Sequence, residues 1–404
     1  MSERSRYSAK FGLDALSLLP FNDSFQFVNA VEDFGPSING VRTLVSGKTY
    51  FVIGDIDLNG DRLETGGVVT LLGTSSETAS ITSTGLGAGV PLLTSRYTLP
   101  VRFLTFKDVH TGIYIDDNSG ANAPLAIDWF GVNFLNVTVV GEIGDVDNFI
   151  YDTGAFLGSQ GLTFTGTAGT VGISNSLFRG DGSADNLIEV TATAVITRRF
   201  RIIYSSIVAF GSTVGISFSA STTVPVESYI LDTVNFSGGS TYTSGVAFSD
   251  NKAKWTSCVG VRNSASLSNY YMQDNAVAST IASIGVAVKA AGVTSSNTVT
   301  QKFVNTSNRA TYVGAISRDM KATAVISATS GNGHQVGIYI AKNGTVITSS
   351  EMYITTNASG RAESGVAQVI VEMVTDDYLE VFIENATSIT DITVSDLTFI
   401  VEGL

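Results

Sequence analysis

The side chains in this chain best suited to chemistry are carboxylates. Asp55-x-Asp57-x-Asn59-Gly60-Asp61 sets oxygens at alternate positions and then turns at a glycine, like the first half of a calcium-binding loop. Such a loop closes with a bidentate glutamate, due here at position 66. That position is Gly66, and Glu64 comes two residues early. The same residues read more simply as a strand ending in an Asn59-Gly60 turn, with Asp55 and Asp57 on its outer face. Other carboxylates gather at Asp116-Asp117, at Glu142, Asp145, Asp147 and Asp152, and at Asp181, Asp185 and Glu189. Two carboxyl groups about 5–5.5 Å or about 6.5–9.5 Å apart can hydrolyse a glycosidic bond. Asp145, Asp147 and Asp152 are the best candidates for such work. Gly141, Gly144 and Gly154 flank them, however, and nothing apolar in the sequence surrounds them to raise an acid's pKa. Asp, Asn and Gly are also what turns require, so solvated turns are expected.

The remaining candidates are weaker. His110 and His334 are isolated and form no metal-ligand spacing. Cys258 is the single cysteine, so no intrachain disulfide can form, and a small buried hydrophobe is the expected role. Lys342 belongs to Lys342-Asn343-Gly344, a hairpin tip. Trp129 precedes a core triplet and reads as packing. No nucleophile elbow, phosphate loop or zinc spacing occurs. The sequence therefore assigns no catalytic, cofactor-binding or metal-ligating residue.

The elements that position these groups are strands. Among 404 residues, 41 are Gly and six are Pro, 15% are charged and 44% hydrophobic. With a mean hydropathy of +0.25, this composition excludes a largely disordered chain. The net charge of −13 has the wrong sign for releasing phosphate counterions, which disfavours nucleic acid as a partner. Near the start, Arg4, Arg6 and Lys10 precede a short apolar stretch containing Asp14, a poor signal peptide. The longest apolar stretch, 281–293, is broken by Lys289 and too short to span a bilayer. A soluble chain made in a cytoplasm, with no membrane insertion, is expected. The sequons at Asn136 and Asn343 are then accidental.

From Val41 to Asn269, short strands alternate with Gly, Asp, Asn and Ser. A triplet of apolar, any, then aromatic or apolar recurs: Leu104-Thr105-Phe106, Val132-Asn133-Phe134, Leu162-Thr163-Phe164, Ser176-Leu177-Phe178, Val208-Ala209-Phe210, Val234-Asn235-Phe236 and Val259-Gly260-Val261. Steps of roughly 25–32 residues in strand-type sequence predict a right-handed parallel β-helix of about 8–9 coils. A β-sandwich is the competing reading. Residues 270–300 are rich in Ala and read as a linker or neck. Residues 301–404 alternate in the antiparallel manner, at Val336, Ile338 and Ile340 before the Asn343-Gly344 hairpin, at 378–384 and at 392–399. They predict a jelly-roll domain. Residues 1–40 stand apart, with a short helix expected at Phe11–Leu19 and the unburied aromatics Phe21, Phe25 and Phe27 after it.

Several stretches resemble tailed-bacteriophage virion proteins with a β-helical body: GDIDLNGDRLETGGVVTLLGTSSETASITSTGLGAGVPLL (54–93), FKDVHTGIYID (106–116) and DWFGVNF (128–134). QKFVNTSNRATYVG (301–314), VGIYIAKNGTVI (336–347) and DDYLEVFIEN (376–385) are similar to the trimeric jelly rolls of the tumour-necrosis-factor and complement type. The resemblance implies a homotrimeric appendage, a tail spike or tail fibre that binds a host surface glycan or protein. Residues 1–40 would attach it to a virion anchor protein, in the tail or the capsid. Two alternatives follow: a capsid decoration or head-fibre protein, and a glycan depolymerase tailspike. A virion protein assembled in the host cytoplasm, without cofactors, is the expectation.

Overall fold

The computed structural model describes residues 24–404 apart from 117–124, 159, 184, 220–223, 226–227, 240, 246–252, 262–264, 297–299, 315–316 and 358–360. The helix expected at Phe11–Leu19, together with Phe21 and Asp117, lies outside the described residues. Two compact units divide the chain. The first reaches to Val246 and takes in Ser257–Val261; the second holds Ala247–Thr256 and Arg262–Leu404.

The first unit is a right-handed parallel β-helix, as the repeat predicts. Each coil lays one short strand on each of three faces. In one coil these are Ala126–Phe130, Asn133–Leu135 and Val139–Ile143, and the next coil begins at Val146. Pairing is parallel between coils on every face, for example Phe149 opposite Ile127, Phe156 opposite Phe134 and Gln160 opposite Val139. Such pairing occupies the backbone donors and acceptors of each interior strand. Alternation then sends every second side chain inward.

The second face shows how the core is built. Ile56, Ile81, Phe106, Phe134, Phe156, Phe178, Ile207 and Phe236 stack in register, and all are buried. Full burial stabilises by about 1.5–3 kcal/mol for each such side chain. This ladder corrects three steps of the sequence repeat. Phe164 lies on the third face, opposite Ile143, so Phe156 is the partner of Phe134. Ile207 rather than Phe210 follows Phe178, and Val259, not Val261, bridges to the last coil at Asn235. Every face carries buried apolar residues spaced two apart, so a short apolar triplet does not say which face it occupies.

Between the first and second faces the chain turns on a residue in the left-handed region: Phe103, Gly131, Thr153, Asn175, Tyr204, Thr233 and Ser257 in successive coils. A non-glycine residue there costs about 1–2 kcal/mol. Pairing on both sides of the turn holds it in place. Gly131 is required for another reason, because a Cβ would lie 2.9 Å from the Phe103 ring.

Two domain boundaries differ from the sequence reading. Phe25–Val28 pairs in parallel with Thr49–Val52, and the short 3-10 turn Val31–Phe34 buries Phe34 against Tyr50. The solenoid therefore starts within the segment assigned to attachment, and Phe27 packs edge-on against Phe51 at 5.7 Å. Residues 270–300 are not a linker. Leu267–Met272 pairs along Leu397–Glu402, Ala278–Ser279 adds to the same strand, and Val288–Lys289 pairs with Phe382–Ile383. Their small side chains read as a spacer because short edge segments leave little periodic signal.

The second unit is a jelly-roll-like pair of antiparallel sheets. One sheet runs in the order 295–296, 267–272, 392–403, 318–329, 363–373; the other runs 303–306, 309–312, 378–385, 335–342, 345–346. Between them lie Met320, Ala322, Ala324 and Ile326 from one sheet and Val336, Ile338, Ile340, Leu379 and Ile383 from the other. The expected hairpin is present. Lys342 pairs with Thr345 across Asn343 and Gly344, both with positive φ.

Candidate functional site

The half-loop at 55–61 is a strand followed by a turn. Asp55–Asp57 forms the strand, and Asn59 and Gly60 take φ of 54° and 89°. Its carboxylates do not converge. Asp55 accepts from Ser80 Oγ at 2.5 Å and pairs with Lys107 at 3.0 Å. Asp57 Oδ1 accepts the backbone N–H groups of Asn59 and Thr84, and Asp61 pairs with Arg42 at 2.8 Å. Among the described residues, no three His, Cys, Asp or Glu side chains gather as a metal site would require.

The candidate pair around Asp147 is dispersed along one strand, Val146–Asp152. Five residues of strand separate Asp147 from Asp152 by about 16 Å, beyond the reach of two groups acting on one glycosidic bond. Each has its own structural partner. Asp147 pairs with Arg198 at 2.7 Å. Asp152 Oδ1 accepts from Ser174 Oγ and Asn175 Nδ2 at the turn, and Asp145 Oδ1 accepts the Thr167 N–H.

On the third face, an outward row reads Glu64, Thr94, Tyr114, Glu142, Thr163, Glu189, Ser217. Glu142 and Glu189 stand two coils apart, about 9.6 Å along the axis. Both are half-buried on the strand face, and Glu142 accepts from Thr165 Oγ1 at 2.8 Å. Tyr114 Oη donates to Asp116 at 3.0 Å beside them. Acid catalysis needs a carboxyl sheltered in an apolar pocket, which a half-exposed strand face does not supply.

A recess of about 550 Å³ opens at the corner between the second and third faces. One residue separates Ala155–Gly158 from Gln160–Phe164, whereas five, 181–185, separate the corresponding strands of the next coil. Half-buried Leu157 gives the recess an apolar wall, and Arg179, Asp181 and Phe210 stand along it, while Val137 is fully buried. The second face presents an outward row of Leu135, Leu157, Arg179 and Val208, with apolar side chains where polar ones are usual. The Arg179 guanidinium lies over the Phe210 ring, 5.5 Å from its centroid, a favourable cation–π arrangement. Arg179 has no carboxylate partner among the described residues. Asp181 is turned to its own loop, accepting from the Ser183 N–H at 3.0 Å and from the Ser183 hydroxyl.

The sequence reading missed this site. It placed Phe210 in the core stack, whereas the ring is 37% exposed. The signal was a step of 32 residues from Phe178 to Phe210, out of line with its neighbours. The step to the true partner, Ile207, is 29.

The other candidates are structural. Trp129 is fully buried among Phe134, Phe149 and Tyr151. His110 is exposed, with Nδ1 3.0 Å from Thr111 Oγ1. His334 Nδ1 accepts the Gly331 N–H at 3.1 Å and closes a turn. Cys258 is half-buried, its thiol 3.5 Å from the Leu231 carbonyl. Lys342 pairs with Asp377 at 2.7 Å beneath the hairpin tip.

Two buried glutamates in the second unit went unforeseen, since alternation puts them on an outer face. Glu380 is 1% exposed and accepts from Lys289 Nζ at 2.5 Å and Arg309 Nε at 2.9 Å. This joins the 288–289 strand to its sheet by charge as well as by pairing. Glu384 accepts from Tyr353 Oη at 2.7 Å; Tyr339 Oη, 3.1 Å from Tyr353 Oη, donates to Glu351. The hydrogen bond to Glu384 holds the Tyr353 proton, with pKa pushed up from 10.0 to about 12. Because the folded value is raised, its contribution is complete below pH 10 and is lost as pH climbs from 10 to about 12. The melting-temperature advantage of wild type over Tyr353→Phe should therefore shrink across that window. A difference that stays flat from about pH 9 to about pH 12 would refute the assignment.

No family model matches the chain, and no curated protein matches it. Three of the solved structures with similarity are the following. The Eiger TNF structure from S. frugiperda is 6% identical with a TM-score of 0.23, over 35% of this chain and 92% of that one. The enzymatically active domain of Bacteriophage CBA120 tailspike protein 4 is 12% identical with a TM-score of 0.25, over 93% and 68% of the two chains. The Acinetobacter phage vB_ApiP_P1 tailspike protein is 13% identical with a TM-score of 0.24, over 90% and 81%. At these scores the likenesses bear on neither activity nor partners.

Proposed function

We propose that the chain is a virion appendage of the tailed-phage type, a tail spike or fibre, and that it holds a host-surface glycan in the recess at Arg179 without cleaving it. The recess carries this reading. It sets Leu157 and the Phe210 ring beside a few polar groups, the mixture that ligand sites present. The carboxylates offered by the sequence are engaged in turns or spread along strands, which favours binding over hydrolysis.

The appendage is a homotrimer. Val277, Ile284, Val286 and Val293 stay exposed in the second unit, as do Val325, Val366 and Ile370 on the outer side of one sheet. Contact with further copies would remove that apolar surface from water. Attachment to the virion anchor falls to the N-terminal segment. A deletion of residues 1–23 is the informative one, because it spares the first solenoid strand, Phe25–Val28.

The test offers purified protein to a panel of bacterial capsular and lipopolysaccharide glycans, following retention and polymer length together. Retention with unchanged length is expected. Shortening of a polymer would replace this reading with a depolymerase. Retention of nothing in the panel would move it to capsid decoration.

A further inference from the structure

The lining of the recess specifies more than a sugar. Its apolar wall is the half-buried Leu157. The Arg179 side chain stands in an outward row between Leu157 and Val208, so apolar groups flank it in both neighbouring coils. The other charged group of the recess, Asp181, keeps its negative charge and is held by the Ser183 N–H and hydroxyl. Asn136, at the opposite edge, is fixed by donating from Nδ2 to Asp108 at 3.0 Å, which leaves its Oδ1 as an acceptor. The guanidinium lies over the Phe210 ring, and its in-plane N–H groups form a fork that matches a carboxylate. The chain as a whole carries −13, so this positive group is a local feature and not part of a basic field.

We propose that the recess takes a carboxylated saccharide unit, such as a uronic or sialic acid within a polymer. The Arg179 guanidinium receives the carboxylate, and Phe210 and Leu157 receive the C–H groups of the sugar ring. The Asn136 carbonyl accepts from a hydroxyl. This rests on the glycan-binding reading and narrows it to one charge class. Long-range repulsion between an acidic polymer and a negative chain is screened within about 8 Å at physiological salt, while the direct guanidinium contact is not.

The test uses matched polymers: polygalacturonate, alginate, hyaluronate and polysialic acid, each intact and after chemical reduction of its carboxyl groups to alcohols. Wild-type protein should retain at least one intact polymer, at least tenfold more tightly than its reduced form. Arg179→Gln should abolish that preference, so that the intact and reduced forms bind the variant equally. Phe210→Ala should weaken both forms. Equal affinity of wild type for intact and reduced polymers, or an undiminished preference in Arg179→Gln, would overturn the charge assignment and leave glycan binding standing. Retention of neutral polymers alone would do the same. Failure to retain any glycan, acidic or neutral, would overturn the glycan-binding reading with it. Arg179 is exposed, so the glutamine variant should fold; its far-ultraviolet spectrum and melting temperature check this.

Discussion

Replacing Trp129 with alanine should cost the solenoid about 3–5 kcal/mol, the range for truncating a large aromatic in a close-packed core. The indole is 0% exposed, with ring centroids of Phe149, Phe134 and Tyr151 at 5.3, 5.7 and 6.1 Å. These neighbours belong to the same coil and the next, so the cavity would open at a junction where two coils share one aromatic cluster. Coils pair through the backbone above and below, which limits collapse into the space. Trp129→Phe separates two contributions. Trp129 Nε1 is buried without a hydrogen-bond partner among the described residues, and an orphaned donor of this kind costs about 1–3 kcal/mol. Phenylalanine removes that cost while losing part of the packing, so its loss should be smaller than alanine's by about 2 kcal/mol or more. Denaturant unfolding followed by circular dichroism measures both variants, with unfolding rates substituted if refolding fails. An alanine variant within about 1 kcal/mol of wild type would show that this cluster is not packed as described.

Gly161→Ala should destabilise by about 3 kcal/mol or more, at the upper end for overpacking. A Cβ at Gly161 would lie 1.7 Å from the carbonyl oxygen of Leu187 in the next coil. That oxygen belongs to a paired strand and has no rotamer by which to retreat. The position is one rung of a pattern. Along the third face the second residue of successive strands reads Leu92, Gly112, Val140, Gly161, Leu187, Gly215. Large and absent side chains alternate from coil to coil at a point where two consecutive residues are both buried. Gly182→Ala is the matched control. Gly182 has φ of 98° and nothing within 4 Å of its would-be Cβ, so only backbone strain opposes alanine, about 1–2 kcal/mol. Comparable losses at the two sites would mean that the coils can move apart at Gly161.

The sequence by itself determined whatever depends on neighbours along the chain. Alternation of apolar and polar residues, interrupted by Gly, Asn and Asp, was enough for a solenoid followed by an antiparallel sandwich. It was enough for the hairpin at Asn343-Gly344 and for reading Asp55–Asp61 as strand and turn, because positive φ at Asn-Gly is a local preference. Trp129 was legible as core for the same reason. Tertiary structure decided which face each strand occupies, since that depends on the lengths of turns that polarity does not record. A single residue between the strands at 155–158 and 160–164 put Phe164 on the third face; the true register put Ile207 in the stack and left Phe210 outside, beneath Arg179. Distance along the chain explains the rest. Lys289 and Arg309 reach Glu380 across 91 and 71 residues, and the strand at 267–272 finds its partner at 397–402. Charges and edge strands brought together over such separations are set by how the sheets pack, and no local pattern announces them.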